Sequence, residues 1–116
     1  MNDKEIGVLH NRFVIYERLR AKFGEENQLV KALEELAELQ KEICKCIYSG
    51  INTDINNLIE EIADVKIMIE QILHIYEIDP KEIQRAKVNK LIRTEKMLDE
   101  LRKNEGQIEL NLEDSL

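Results

Sequence analysis

The chain has few residues that break helices and no stretch suited to crossing a membrane. One Pro and four Gly occur among 116 residues, so few interruptions of regular structure are predicted. No apolar run approaches the roughly 18 residues of a membrane-spanning helix, which argues against a membrane protein. The first five residues, MNDKE, lack the basic-then-apolar order of a secretion signal.

The chain has only two cysteines, and its 17 basic residues are outnumbered by 24 acidic ones. Cys44 and Cys46 lie two apart in a helical pattern, where their side chains point in different directions and cannot form an unstrained disulfide with each other. Reduced thiols indicate a cytoplasmic protein. The net charge of −7 argues against a general nucleic-acid binder, which would need a basic surface.

Basic residues are nevertheless concentrated in one segment. Between Lys81 and Lys103 there are eight basic residues against four acidic ones, whereas the chain on either side is acidic on balance. Such a segment could hold phosphates if it folded back near an acidic metal site. A solvated helix face is the commoner cause of such a bias.

The sequence is 43% apolar and 35% charged, with the periodicity of helices. Four helices are predicted: residues 4–23, from Glu25 or Asn27 to about Gly50, from Thr53 or Asp54 to about Tyr76, and from Pro80 to about Gly106. Gly24 is a predicted stop, and Asp79-Pro80-Lys81-Glu82 is a predicted helix start. We therefore expect a four-helix bundle in one domain, residues 1–106, followed by an acidic tail, residues 107–116, that is loose or docked on a partner.

Apolar residues recur on the second and third predicted helices. The second carries a stripe of Leu29, Leu33, Leu36, Leu39, Ile43 and Ile47. The third carries Ile55, Leu58, Ile62, Val65, Ile69, Ile72 and Leu73. Both helices also have apolar residues off these stripes, which predicts that they are covered on more than one side, by the same chain or by a dimer partner.

Two acid pairs stand out on these helices. Glu35 with Glu38, and Glu61 with Asp64, are spaced three apart, so each pair lies on one helix face. Four carboxylates brought together would repel, and a hard divalent cation such as Mg²⁺, Mn²⁺ or Ca²⁺ would resolve the conflict.

The setting of the two pairs differs. The acids of the second helix alone resemble an ordinary solvated face. Glu61 and Asp64 instead share a flank with apolar residues such as Met68. That setting predicts partial burial and a need for a charge partner.

These residues resemble a known signature. Glu34-Glu35-x-x-Glu38, followed after a spacer by Glu61-x-x-Asp64, is similar to the motifs of the all-α nucleoside triphosphate pyrophosphohydrolases. This MazG-like superfamily includes the dimeric dUTPases, the dCTP pyrophosphatases and phosphoribosyl-ATP pyrophosphohydrolase. The segment from Gln28 to Leu33 resembles the lead-in to the first motif. The resemblance implies a MazG-like helical bundle that assembles as a homodimer or homotetramer.

The resemblance also implies a function. Glu35, Glu38, Glu61 and Asp64 would bind Mg²⁺, with Mn²⁺ as a possible substitute. The reaction would be hydrolysis between the α- and β-phosphates of a nucleoside triphosphate, which releases a monophosphate and pyrophosphate and could remove surplus or non-standard nucleotides. One carboxylate would orient or deprotonate the water: Glu38 is the first choice and Glu34 the second.

Basic residues and one histidine complete the predicted site. An ion pair with Glu35 is the default role of Lys31, which in a nucleotide complex could contact phosphate instead. The resemblance implies further phosphate contacts from the last helix, for which the candidates are Lys87, Lys90 and Arg93. His10 matches a base-side position of the dCTP pyrophosphatases. The chain has no Trp, however, so the resemblance does not extend to cytosine specificity.

Two alternatives stay open. The chain could be a non-enzymatic helical oligomerisation or interaction protein whose acids face solvent, in which case no metal dependence is predicted. It could also hydrolyse phosphoribosyl-ATP, although it carries no recognisable signature for that substrate beyond the shared acids. The nucleotide pyrophosphohydrolase is the preferred hypothesis, with no nucleic-acid or membrane partner.

Overall fold

A computed structural model describes residues 1–115, and these residues are helical apart from short connections. The elements in chain order are α1 (Asp3–His10), α2 (Arg12–Phe23), α3 (Glu25–Ser49), a 3₁₀ turn (Gly50–Asn52), α4 (Ile55–Ile75) and α5 (Pro80–Ser115). No strand occurs within residues 1–115, so the all-α prediction is confirmed. No helix in this range is both long and apolar enough to cross a membrane.

The first predicted helix is in fact two helices. Asn2 caps α1 by accepting a hydrogen bond from the backbone N–H of Glu5 at 2.9 Å. Helix α1 ends at His10, and Asn11 lies between it and α2 with a φ of −93° and a ψ of 14°. Asparagine competes locally for backbone hydrogen bonds and is a weak helix former, which accounts for the interruption.

Predicted caps form the other boundaries. Asp54 accepts hydrogen bonds from the backbone N–H groups of Asn56 and Asn57 at 3.1 and 3.3 Å, and so begins α4. Asp79 accepts from the N–H of Lys81 at 2.9 Å and begins α5. Gly24 separates α2 from α3 at a φ of 86°, a left-handed value that glycine adopts without steric cost. Local signals therefore predicted these boundaries correctly.

The chain forms two compact units, one of Met1–Ile78 and the other beginning at Asp79. Helices α1 to α4 make up the first, and α5 belongs to the second. The arrangement as a four-helix bundle and the MazG-like fold therefore stay predictions.

Helix α5 continues past its predicted end near Gly106 to Ser115, so that predicted end is wrong. A glycine inside a helix costs only about 1 kcal/mol relative to alanine, which a run of good helix formers on its N-terminal side can offset. Most of the segment predicted to be a loose or docked tail is thus helical in its backbone. Leu116, the last residue of that predicted tail, lies outside the described residues.

Within the first unit, α3 and α4 run antiparallel and make the most extensive contact. Near their connection, the hydroxyl of Thr53 donates to the carbonyl oxygen of Gly50 at 2.6 Å. Helix α2 packs on both and is held to α4 by two polar contacts. Arg12 Nε lies 2.6 Å from Glu70 Oε2, and His74 Nε2 lies 2.6 Å from Glu17 Oε2.

The interior of this unit is unusually polar. Its buried residues are Tyr16, Ala32, Val65 and Met68, which are apolar or aromatic, and Gln28, Glu42 and Gln71, which are not. The predicted leucine stripe of α3 lies mostly outside: Leu33 is 67% exposed and Ile47 is 80% exposed. The acid-bearing side of this helix, which taken alone resembles a solvated face, is in part an interior side: Glu42 is buried and Glu35 half-buried, whereas Glu34 and Glu38 are exposed. One long antiparallel neighbour can cover only one side of α3, and α4 covers the side that carries the acids.

Candidate functional site

The register of α3 and α4 places acidic residues in their shared interface. The interior side of α3 includes Gln28, Ala32, Glu35, Leu39 and Glu42, at the spacing of one helix face. On α4, Glu61 lies on the same side as the buried residues Val65 and Met68. The partial burial predicted for the acids of α4 is thus observed at Glu61, and it extends to Glu35 on α3.

Three carboxylates converge at this interface. One carboxylate oxygen from each of Glu35, Glu61 and Asp64 lies within 4.8 Å of the other two. Glu35 contributes from α3 and the other two from α4, as the two acid pairs predicted. Glu38, the fourth predicted ligand, is exposed and not part of this group, but it is close enough for its negative charge to raise the pKa of Glu61.

The cluster is electrostatically strained. Burial, followed by the charges of Asp64 and Glu35, raises the pKa of Glu61. Burial, followed by the charge of Glu35, likewise raises the pKa of Asp64. Glu61 Oε2 is buried without a hydrogen-bond partner. A buried carboxylate oxygen in this condition needs a proton or a cation.

One ammonium group compensates part of this charge. Lys31 Nζ lies 3.0 Å from Glu35 Oε1 and 3.6 Å from Glu34 Oε2, one turn before the cluster. The hydrogen bond to Glu35 and the charge of Glu35 raise the pKa of Lys31. The default ion pair predicted for Lys31 is therefore present. Glu34, the second choice for positioning a water, is exposed at the outer side of this pair.

Glu42 is a buried acid that the sequence reasoning did not include in the site. It is 9% exposed, and its Oε1 lies 3.1 Å from Lys45 Nζ. Its charge also contributes to the raised pKa of Glu61. Glu42 follows Glu35 by two helical turns, so treating the acid-bearing side of α3 as an interior side would have identified it.

The three carboxylates are close enough to share a hard divalent cation after a local rearrangement. Mg²⁺ binds oxygen at about 2.1 Å, so neighbouring ligands of its octahedron lie about 3.0 Å apart, and only one pair among three ligands can lie opposite, about 4.2 Å apart. The three oxygens lie within 4.8 Å of one another, so the side chains would move together by up to about 1.8 Å to ligate such an ion. Glu35, Glu61 and Asp64 offer only oxygen, which suits Mg²⁺, Mn²⁺ or Ca²⁺.

The remaining predicted residues lie elsewhere. His10 is exposed in the last turn of α1. Lys87, Lys90 and Arg93 are exposed on α5, in the second compact unit. Their phosphate contacts, and the base contact of His10, stay predictions. Comparisons of the chain with protein-family models, with curated proteins and with solved structures found no match.

Proposed function

We propose that the protein is a divalent-cation-dependent hydrolase that cleaves a nucleoside triphosphate between the α- and β-phosphates. The observation that carries this proposal is the convergence of Glu35, Glu61 and Asp64 within 4.8 Å, with Glu61 Oε2 buried and unpaired. Acids cannot themselves neutralise phosphate oxygens, so a site of this kind must act through cations. The resemblance of the two acidic motifs to the all-α pyrophosphohydrolases supports the choice of reaction.

Each residue then has a defined role. Glu35, Glu61 and Asp64 would hold Mg²⁺, which when bound neutralises phosphate oxygens and makes a coordinated water more acidic. Glu38, exposed beside the cluster, stays free to orient or deprotonate the attacking water. Lys31 pairs with Glu35 in the metal-free protein, and once a cation takes over that charge its ammonium can turn to a phosphate.

We propose further that two or more copies of the chain associate through the apolar sides of α3 and α4. These sides are exposed in the single chain at Leu33, Leu36, Ile43 and Ile47 on α3, and at Ile55, Ile59, Ile62 and Ile69 on α4. A long apolar stripe of this kind marks an interaction surface. A second copy offers the same stripe, and a two-fold interface is self-complementary, so a homodimer or a dimer of dimers is the simplest occupant.

The test of the enzymatic proposal is pyrophosphate release from canonical and modified nucleoside triphosphates, with and without Mg²⁺ or Mn²⁺. Activity should require the metal and should fall at least about a hundredfold in Glu61→Gln, since losing even an outer-shell partner of a metal site costs 10- to 100-fold. Glu95→Gln, at an exposed acid on α5, is the matched control and should leave activity unchanged. Full activity in Glu61→Gln would contradict the proposed role of the acid cluster in the reaction.

The second candidate is a non-enzymatic helical interaction protein, which the exposed apolar stripes favour. Calorimetry and thermal melting with Mn²⁺ separate the two. A cation at 100 times its Kd should stabilise the folded protein by about 2.7 kcal/mol, and Glu61→Gln should abolish that shift. If the protein is instead an interaction protein, Mn²⁺ should change the melting temperature only weakly, through ionic strength, and equally in the wild type and in Glu61→Gln.

A further inference from the structure

A cavity of about 380 Å³ lies between α2, α3 and α4. Its apolar walls include Leu19, Phe23 and Met68, and its polar groups include Gln28, Lys31 and Gln71. The volume falls in the range of small-molecule sites, and a mainly apolar lining with a few polar groups is their usual composition. None of Glu35, Glu61 and Asp64 lines this cavity. The kind of ligand that the cavity would bind therefore follows from the cavity's own lining residues.

The glutamines are the unusual feature of this cavity. Gln71 is 4% exposed, and its Oε1 is buried without a hydrogen-bond partner. Gln28, from the facing helix, is 8% exposed. A buried amide oxygen with no donor destabilises the fold, and an apolar side chain of similar size would avoid that cost. Gln71 lines the cavity, so a rotation of its amide would present this unpaired acceptor to a ligand that brings the donor.

The position of the cavity restricts that ligand further. Lys31 lines the cavity, and its Nζ lies 3.0 Å from Glu35 in the acid cluster, so the two sites are contiguous. Gln71 follows Asp64 by seven residues, and Gln28 precedes Glu35 by seven. Seven residues span about 10 Å along a helix. A molecule that joins the two sites would thus have a partly apolar end with an N–H donor, and an anionic end two helical turns away.

We propose that this cavity binds the nucleobase of the substrate, with Gln71 as the residue that reads the edge of the base. This rests on the proposed function, since the nucleotide's phosphates would lie at the acid cluster. Phe23 and Met68 supply the apolar contact for the faces of the ring. Gln71 Oε1 accepts from a ring N–H or an exocyclic amino group, while its amide NH₂ can donate to the neighbouring acceptor, as glutamine does with adenine in other settings.

The test uses nucleosides without phosphate and without metal, measured by calorimetry and thermal melting on the full chain. The probes are adenosine, guanosine, cytidine and uridine, together with the analogue of the preferred one in which the donor N–H is methylated or replaced by C–H. At least one nucleoside should bind and raise the melting temperature. Its analogue should bind at least tenfold more weakly, because it leaves Gln71 Oε1 unpaired.

The matched variants are Gln71→Met and Gln40→Met. Gln40 is exposed on α3, well round the helix from Gln28, so its variant should bind nucleosides as the wild type does. Gln71→Met should weaken nucleoside binding at least tenfold and raise KM for the nucleotide, while its melting temperature stays equal or rises because an unpaired buried oxygen is removed. A loss of stability in step with affinity would assign Gln71 a merely structural role and overturn the proposal.

Other outcomes distinguish this proposal from the proposed function. Nucleoside binding without any metal-dependent hydrolysis would support the base cavity and contradict the enzymatic proposal. Hydrolysis with an unchanged KM in Gln71→Met would support the enzyme and contradict the cavity assignment. Failure of all four nucleosides to bind the wild type at millimolar concentration would also contradict it.

Discussion

The ammonium of Lys31 lies 3.0 Å from a carboxylate oxygen of Glu35, and Glu35 belongs to a cluster with two further carboxylates. This single contact links three features of the protein. It reduces the repulsion within the cluster, it would compete with a bound cation for Glu35, and it brings the same lysine to the edge of the neighbouring cavity. Lys31 is therefore the residue at which metal binding and substrate binding are expected to couple.

Replacing Lys31 by Met should change these two properties in opposite directions. Removing a positive charge 3.0 Å from Glu35 should tighten Mn²⁺ binding several-fold, since the cation no longer competes with the ammonium. The same variant should raise KM for a nucleoside triphosphate, because a phosphate partner is lost. Calorimetry and steady-state kinetics measure the two effects. Lys41→Met, at an exposed lysine on the same helix, should change neither; weaker Mn²⁺ binding in Lys31→Met would contradict the competition.

The stability of the metal-free protein should depend on pH through Glu61 and Asp64. Burial and neighbouring carboxylates raise the pKa of both groups, so the folded state binds their protons more tightly than the unfolded state does. At neutral pH, where both groups are ionised, they therefore lower the free energy of unfolding. This loss becomes smaller as the pH falls through the raised pKa values toward the pKa values of the unfolded state, near 4.

Urea denaturation of the wild type and Glu61→Gln at pH 7 and pH 5 measures this effect. Without metal, Glu61→Gln should be the more stable chain at pH 7, and its advantage should shrink at pH 5. Other acids, such as Glu17, whose hydrogen bond with His74 lowers its pKa, make the protein less stable as the pH falls. They are present in both chains, so their effect cancels in the difference between the wild type and Glu61→Gln. A difference between the two chains that does not vary with pH would contradict the shift. With saturating Mg²⁺ the wild type should instead be the more stable chain at pH 7, and it should lose that advantage at pH 5, because protons compete with the cation for the carboxylates.

The exposed apolar stripe of α3 should mediate self-association. Sedimentation of the wild type at micromolar concentration should give a dimer or tetramer. Leu36→Glu should give a smaller species, because the substitution places a charge in an apolar interface. Lys41→Glu is the control. It changes the net charge by more than Leu36→Glu does, but at a position away from the stripe, so the assembly should stay intact. A wild type that sediments as a monomer would contradict the proposed association.

The start of α4 should be sensitive to its cap. Asp54 accepts two backbone hydrogen bonds at 3.1 and 3.3 Å, and replacing such a cap by Ala typically costs about 1 kcal/mol of stability. Thermal or urea unfolding of Asp54→Ala should show that loss. Asp54→Asn keeps an accepting oxygen and should lose much less. Equal losses in both variants would indicate that the charge, and not the cap, is responsible.

Local features of the sequence were enough to predict the helical class and most helix boundaries. The caps at Asp54 and Asp79 and the left-handed turn at Gly24 depend on one or two neighbouring peptide groups, so they can be read directly. The acid pairs at i, i+3 also identified all three residues of the cluster, because a helix places such pairs on one face regardless of what packs there. Where the signal was weaker, at Asn11 and beyond Gly106, the predicted boundaries were wrong.

Which side of each helix faces inward could not be predicted in the same way. Helix α3 has an apolar side and an acidic side, and hydrophobic periodicity alone favoured the apolar one as the interior. Packing against α4 instead buries Glu42 and the flank that carries Glu35, and leaves Leu33 exposed. It also places Gln28 and Gln71, which are 43 positions apart, on one cavity. Such pairings depend on the register between two helices, and that register is a property of the folded chain and not of any local segment.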